Sequence, residues 1–200
     1  MPQAPCCLLF LATLLFPCCS DVTTETYRWQ EVSVAEMDGE QARMFDRAKE
    51  AAGTLGRTMV AELTQHMAEG GPVASIEYCR VRAPEVHAEV LPDLEGIQGL
   101  GRTSHKLRNP NNEPPQWARP VVEAADGQPH AFAAPEGALH VLLPIPIQST
   151  CLVCHGDPAT MPEELKSELQ LHYPEDQATG FQAGDLRGWF WVEVVPLTGD

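Results

Sequence analysis

The sequence predicts an α+β domain, with helices first and an antiparallel sheet after them. Three observations carry this. Phe45, Ala48, Ala52, Leu55, Met59, Leu63 and Met67 recur at three- and four-residue steps, which makes one apolar helical stripe. Turn signals crowd the middle of the chain, with Asn109-Pro110-Asn111-Asn112 and Pro114-Pro115. Two short apolar runs, 138–147 and 187–195, then read as strands.

The chain has 200 residues, enough for one domain with a real core or a buried cofactor. It carries 13 basic and 28 acidic side chains, a net charge of −15. That balance excludes nucleic-acid binding, which needs a basic face, and docking on anionic lipid. With 15 Gly and 18 Pro, a pure helix bundle is disfavoured. At 44% hydrophobic the chain is globular rather than disordered.

Residues 1–20 hold no Asp, Glu, Lys or Arg, and residues 8–16 (LLFLATLLF) are uniformly apolar. The run is too short to span a bilayer as a helix and suits the hydrophobic region of a secretory signal. A positive start and an A-x-A site are both missing. Cys18 and Cys19 follow the run, although LFPC and FPCC are poor lipobox matches. The expectation is export, by cleavage between Cys18 and Asp21 or by retention of the leader as a membrane or lipid anchor. The expected division is a leader over 1–20 and one domain over 21–200, with no integral membrane domain.

Residues 21–32 read as a polar lead-in. Ser33 and Glu36 have the spacing of a capping box, which places the start of the long helix there. Gly53 and Gly56 weaken its middle, and Gly70-Gly71-Pro72 ends it. The methionines on its stripe are read as core. Pro72 suits the first position of a second helix. Val73, Ile76 and Cys79 lie three apart, so Cys79 shares the apolar face. Pro84 disfavours helix at the residue before it, and Pro92 ends the next segment. Cys79 is therefore expected near a helix end, facing inward. Residues 98–108 read as a strand. Pro144 and Pro146 put the end of the 138–147 strand at an edge or terminus.

Cys6, Cys7, Cys18 and Cys19 lie in the leader, leaving Cys79, Cys151 and Cys154 in the body. An exported disulfide framework would want an even number. Residues 151–155, Cys-Leu-Val-Cys-His, match the c-type haem attachment pattern. Each thiol adds to one porphyrin vinyl group, and the spacing lets both reach one edge. His155 then offers imidazole to the iron. Two thioethers also resolve the odd cysteine count. A zinc site would want a second C-x-x-C or an H-x-x-x-H, and neither is present. A thioredoxin-like reading needs more chain than follows Cys154.

For the opposite iron ligand the candidates are Cys79, Met67, His66, His87, His105, His130, His140 and His172. Cys79 stands slightly ahead, because Arg80 and Arg82 would favour its thiolate. An inert core cysteine is the competing reading.

Several separated segments extend the pattern: Gly71-Pro72-x₂-Ser75-Ile76-x₂-Cys79 with Ala83-Pro84; Gly101-Arg102-Thr103-Ser104-x₃-Arg108-Asn109-Pro110-x-Asn112; Trp117; Cys151 to Gly156; and Tyr173-Pro174-x-Asp176-x-Ala178-x-Gly180-Phe181-x₂-Gly184-Asp185-x₂-Gly188. In these the chain resembles, over about residues 40–196, the PAS-like c-type haem domains of bacteria, which occur alone or as sensor modules. The resemblance implies a central antiparallel sheet with N-terminal helices and one covalent haem c. It also implies His155 and Cys79 as the two iron ligands. Ala118 departs from the acidic residue that often follows the family's Trp. No output module is expected within the chain. Arg102 and Arg108 fall inside the motif and are the candidates for gripping the porphyrin carboxylates.

Thiolate ligation stabilises ferric iron, so the expected potential is low compared with His/Met ligation. The leading expectation is an exported, periplasmic redox or gas sensor, working through release of Cys79. The alternative is a low-potential electron-transfer cytochrome with two fixed ligands and a redox partner protein. An enzyme would need an open iron or a free C-x-x-C pair, and no distal acid/base arrangement is legible.

Overall fold

The computed structural model describes residues 29–197. The expected leader and its cysteines lie outside the described residues. The α+β class and the central antiparallel sheet stand. Five strands run in the order β1-β3-β4-β5-β2: Gln30–Glu31, Ile97–Thr103, His130–Ala133, Leu139–Pro146 and Leu186–Val194 in sequence order. Every pairing is antiparallel.

The long helix α1 (Gly39–Glu77) starts later than Ser33. Asp38 is the true cap: its Oδ1 accepts from the Glu40 and Gln41 N–H groups at 3.0 and 2.8 Å, and Gln41 Oε1 accepts from the Asp38 N–H. Ser33 heads a single 3₁₀ turn, and its side chain caps nothing. The predicted stripe faces the sheet. Phe45, Ala48, Ala52, Leu55 and Met59 pack with Leu100, Leu139, Val141, Val192 and Val194 in the main core. On the other sheet face, Trp117, Val121 and Val122 from α3 (Arg119–Ala124) and the turn before it cover Phe132, Leu142 and Trp189.

Gly70-Gly71-Pro72 breaks α1 as a kink rather than an end. Gly71 sits at φ 75°, ψ −176°, a conformation essentially reserved for glycine, and Pro72 restarts the helix. Helix then continues through a π-helical turn, Tyr78–Arg82, into α2, Ala83–Val90. This corrects the expectation that Pro84 ends the run. Proline has no N–H and crowds the carbonyl four residues back, and the wider turn absorbs both faults. The Ala83 N–H donates to the Tyr78 carbonyl, five residues back. Cys79 thus lies inside a continuous helical run.

β2 stops at Thr103, short of the expected 108. The Ser104 hydroxyl donates to the Arg187 carbonyl at 2.6 Å and accepts from the Lys106 N–H, turning the chain off the sheet. β4 is interior, yet its prolines still fall where partners run out: β3 pairs only as far as Leu142, and Pro144 and Pro146 face β5 alone. Neither α4 (Leu152–His155) nor α5 (Glu163–His172) nor any other described helix is long and apolar enough to cross a membrane.

Candidate cofactor cavity

A cavity of about 540 Å³ opens between α1, the 72–90 helical run, the turn at 149–155 and the ends of β2 and β5. Its size falls in the range of small-molecule and cofactor sites. Cys79, Cys151, Cys154, His155, Arg102 and Arg108 all line it. Of the other candidate ligands, only Met67 and His87 do so; His66, His105, His130, His140 and His172 lie elsewhere.

The pentad occupies a 3₁₀ turn, Ser149–Cys151, followed by the single turn of α4. Gly156 closes it: its N–H donates to the Leu152 carbonyl at 2.9 Å, and a Cβ there would meet that same oxygen at 2.5 Å. The segment 176–181 then holds the pentad from outside. Gly180 and Phe181 N–H groups donate to the Gly156 and His155 carbonyls at 2.8 and 3.0 Å. His155 Nδ1 is 2.7 Å from the Ala178 carbonyl and must carry its proton to donate there. Its Nε2 keeps the lone pair. The Phe181 ring stands edge-on to the imidazole. Burial, then the guanidinium groups of Arg108 and Arg187, push its pKa down to about 2, so the imidazole is neutral and ready to ligate.

Arg108 has a different place from the one its motif position suggests. Its Nε donates to Asp176 Oδ2 at 2.9 Å, and its Nη2 donates to the Cys154 and Ala178 carbonyls. Asp176 in turn accepts from the Ala178 N–H. Arg108 ties the pentad to the segment that orients His155, and little of its fork is left for a ligand. Arg102 is the opposite case. It lines the same cavity and has no hydrogen bond or carboxylate partner among the described residues. Burial holds its pKa below the usual guanidinium value, while Cys79, Tyr78 and Tyr173 act in the other direction.

Sequence reasoning missed Arg187. It enters the cavity from the start of β5, and its Nη1 donates to the Lys106 carbonyl at 3.2 Å. Burial, then Arg108 and Arg102, lower its pKa to about 10, so it remains charged at neutral pH. Its position between Asp185 and Gly188 in the final motif was the available signal. Gly188 shows why that motif carries glycine: at φ 157° a Cβ would run into the Thr103 carbonyl.

Cys79 opens toward the cavity rather than into the packed core, so its exposure is to that space. Burial pushes its thiol up, opposed by Arg102, Arg108 and Arg187. The expected helpers do not serve it: Arg80 forks onto Glu77, and Arg82 binds Glu62 and Glu89. Among the described residues no three His, Cys, Asp or Glu side chains converge on a metal-ion site.

A family model described as Tll0287-like matches residues 33–195. The crystal structure of the cyanobacterial heme-protein Tll0287 is similar to this chain, with 25% identity and a TM-score of 0.55. That match covers 82% of this chain and 99% of that one. No curated protein matches. The family match spans the helices, strands β2 to β5 and every residue of the cavity named above, and the chain belongs to the Tll0287-like family.

Proposed function

We propose that this chain binds one haem c covalently, through thioethers from Cys151 and Cys154, and is an exported redox or gas sensor. His155 and Cys79 are the two iron ligands in this reading. The carrying observation is the His155 arrangement: Nδ1 is committed to Ala178, and Nε2 is left to ligate beside two thiols in one cavity. The residues fit the group in two further ways. Arg102 is a cation that the fold itself does not neutralise, in a chain of net charge −15, and Arg187 stands beside it. Both suit the carboxylates of a porphyrin. Gly101 lies flat against the Trp191 indole, where a Cβ would not fit. That keeps one aromatic wall of the cavity smooth.

Haem, when bound, supplies an iron that changes oxidation state and takes diatomic gases. The chain's own part would be to offer that group a rigidly held side, at His155, and a movable one, at Cys79. His155 is the rigid side, with its ring nitrogen, its carbonyl and the neighbouring Cys154 carbonyl all bonded to 176–181 or to Arg108. Cys79 is the movable side. It sits in a π-helical turn, a local feature frequent at functional sites, between the Gly71 kink and Pro84. A change in what Cys79 binds is thereby coupled to the 72–82 segment, a two-state element that a signal can bias. This favours a sensor over an electron carrier, which wants two fixed ligands.

The test compares ligand sets in the two oxidation states of the loaded protein, by electron paramagnetic resonance and resonance Raman, with and without CO and NO. The sensor reading predicts loss of the sulfur ligand on reduction or on gas binding. One unchanged ligand set in both states, with no response to CO or NO, means an electron carrier instead.

A further inference from the structure

The cofactor cavity holds a second histidine that the ligand assignment leaves unused. His87 stands on α2, and it lines the cavity together with Ala83 and Cys79 of the same helical run. Its Nε2 is buried and has no hydrogen-bond partner. The ring is tied instead to the Leu100 backbone. Burial lowers its pKa, the Leu100 bond opposes this and Arg102 adds to it, so the ring is neutral. Arg102 is the charged group that acts on His87, and no carboxylate acts on either residue. Arg102 lies two positions beyond Leu100 on β2, where strand alternation puts both side chains on one face. A cation without a counter-ion and an orphaned ring nitrogen on one cavity wall are both unfavourable, and a single anion would satisfy the two.

We infer that His87 and Arg102 together hold one carboxylate of the haem, with Nε2 and the guanidinium donating to the same group. This rests on the haem reading above. The order of residues along the helical run fits it. Ile76 belongs to the small core cluster against which Cys154 packs, which marks the thiol end. Cys79 follows three residues on, and His87 lies two turns further, about 12 Å at 1.5 Å per residue. A porphyrin carries its carboxylates on the edge away from its vinyl groups. Thiols, iron ligand and carboxylate grip thus follow one another in that order. For Nε2 to donate while the other nitrogen stays bonded to Leu100, the ring takes up one proton from solvent. A carboxylate in contact supplies the cause, since it favours the imidazolium and offsets Arg102. An apolar group at this wall would leave both partners unsatisfied.

The experiment loads the full chain with haem through a cytochrome c maturation system. Wild type, His87→Gln, His87→Leu and Arg102→Met are compared by the propionate-bending band in resonance Raman and by midpoint potential. A haemochrome spectrum comes first, so that the two readings fail separately: no bound haem overturns both. H87L should shift the band and lower the potential, because a less compensated carboxylate favours ferric iron. The expected change is about tenfold in the balance of oxidised and reduced protein, ~59 mV for one electron. R102M should shift the same band. H87Q keeps an N–H donor and should hold the band near its wild-type position, with circular dichroism confirming that each variant is folded. With haem attached, an unmoved band and potential in H87L overturn this inference alone. Equal band shifts in H87Q and H87L overturn it too, since the role of His87 would then be structural. So does a second imidazole ligand in electron paramagnetic resonance that both His87 variants lose, because His87 would then bind the iron.

Discussion

Arg108 and Arg102 face one cavity and belong to one motif, yet opposite stability effects are expected from removing them. Arg108 and Asp176 form an ion pair whose side chains are only 10% and 11% exposed. Replacing Arg108 by Met keeps the aliphatic volume and strands the carboxylate, with the Cys154 and Ala178 carbonyls losing a charged donor as well. Breaking one partner of a buried pair costs about 3–5 kcal/mol. For a domain of this size that corresponds to a fall in Tm of about 6–20 °C. Arg102 has no carboxylate to strand. Arg102→Met removes an uncompensated cation, so the cofactor-free chain should be unchanged or more stable by up to about 1 kcal/mol. The assay is urea unfolding of the cofactor-free full chain, followed by circular dichroism, on wild type, R108M, R102M, D176N and R108M/D176N. The double variant should show coupling of about 0.5–3 kcal/mol between the pair. A shifted midpoint potential in the loaded R102M protein, without loss of stability, would mark Arg102 as ligand-facing. A cost below about 1 kcal/mol for R108M, the range of an exposed pair, refutes the reasoning. So does a larger cost for R102M than for R108M.

Three further outcomes are expected. Cys79→Ser should change cofactor-free stability by no more than about 0.5 kcal/mol, because the side chain faces the cavity. In the loaded protein it should abolish the sulfur-ligated ferric signature in electron paramagnetic resonance and raise the midpoint potential. Gly71→Ala should cost about 1–3 kcal/mol in urea unfolding, since φ 75° with ψ −176° admits almost only glycine. At His130 burial alone would lower the pKa, but the hydrogen bonds to Glu31 and Asp126 outweigh it and hold it above the ordinary 6.5. A raised folded pKa gives stability that is full below about pH 6.5 and is lost as pH rises through the folded value. Hydrogen exchange at the Val32 amide should therefore speed up on the alkaline side by the worth of about 0.5–1 kcal/mol, and His130→Asn should remove that pH dependence.

Periodic patterns were the legible part of this fold. The α1 stripe is seven positions of unbroken spacing, and β4 and β5 are long apolar runs, so each announced itself. β1 is two residues and β3 is four, too short for any alternation to register; β3 pairs along the edge that β4 offers, and β1 along the edge that β3 offers. Leu165 and Leu169 of α5 stand four apart, but without Ile76 and Tyr173 opposite them nothing marked them as core. The π-helical turn was illegible because the sequence rule at Pro84 assumes ordinary helix on its N-terminal side. At the site, the pentad and Cys79 could be named from spacing and motif, and the structure brings them to one cavity. The division of labour among the arginines could not, because it depends on which carboxylate lies within reach: Asp176 for Arg108, Glu77 for Arg80, Glu62 and Glu89 for Arg82, and none for Arg102.

The central claim is covalent haem at Cys151 and Cys154. The direct measurement is a pyridine haemochrome spectrum of protein exported alongside a cytochrome c maturation system, taken after acid–organic extraction. The account predicts that haem stays with the chain and gives a c-type spectrum, and that Cys151→Ser/Cys154→Ser releases all of it to the organic phase. Complete extraction from the wild-type chain, or no haem bound at all, would contradict the account and return the two thiols to redox or zinc chemistry.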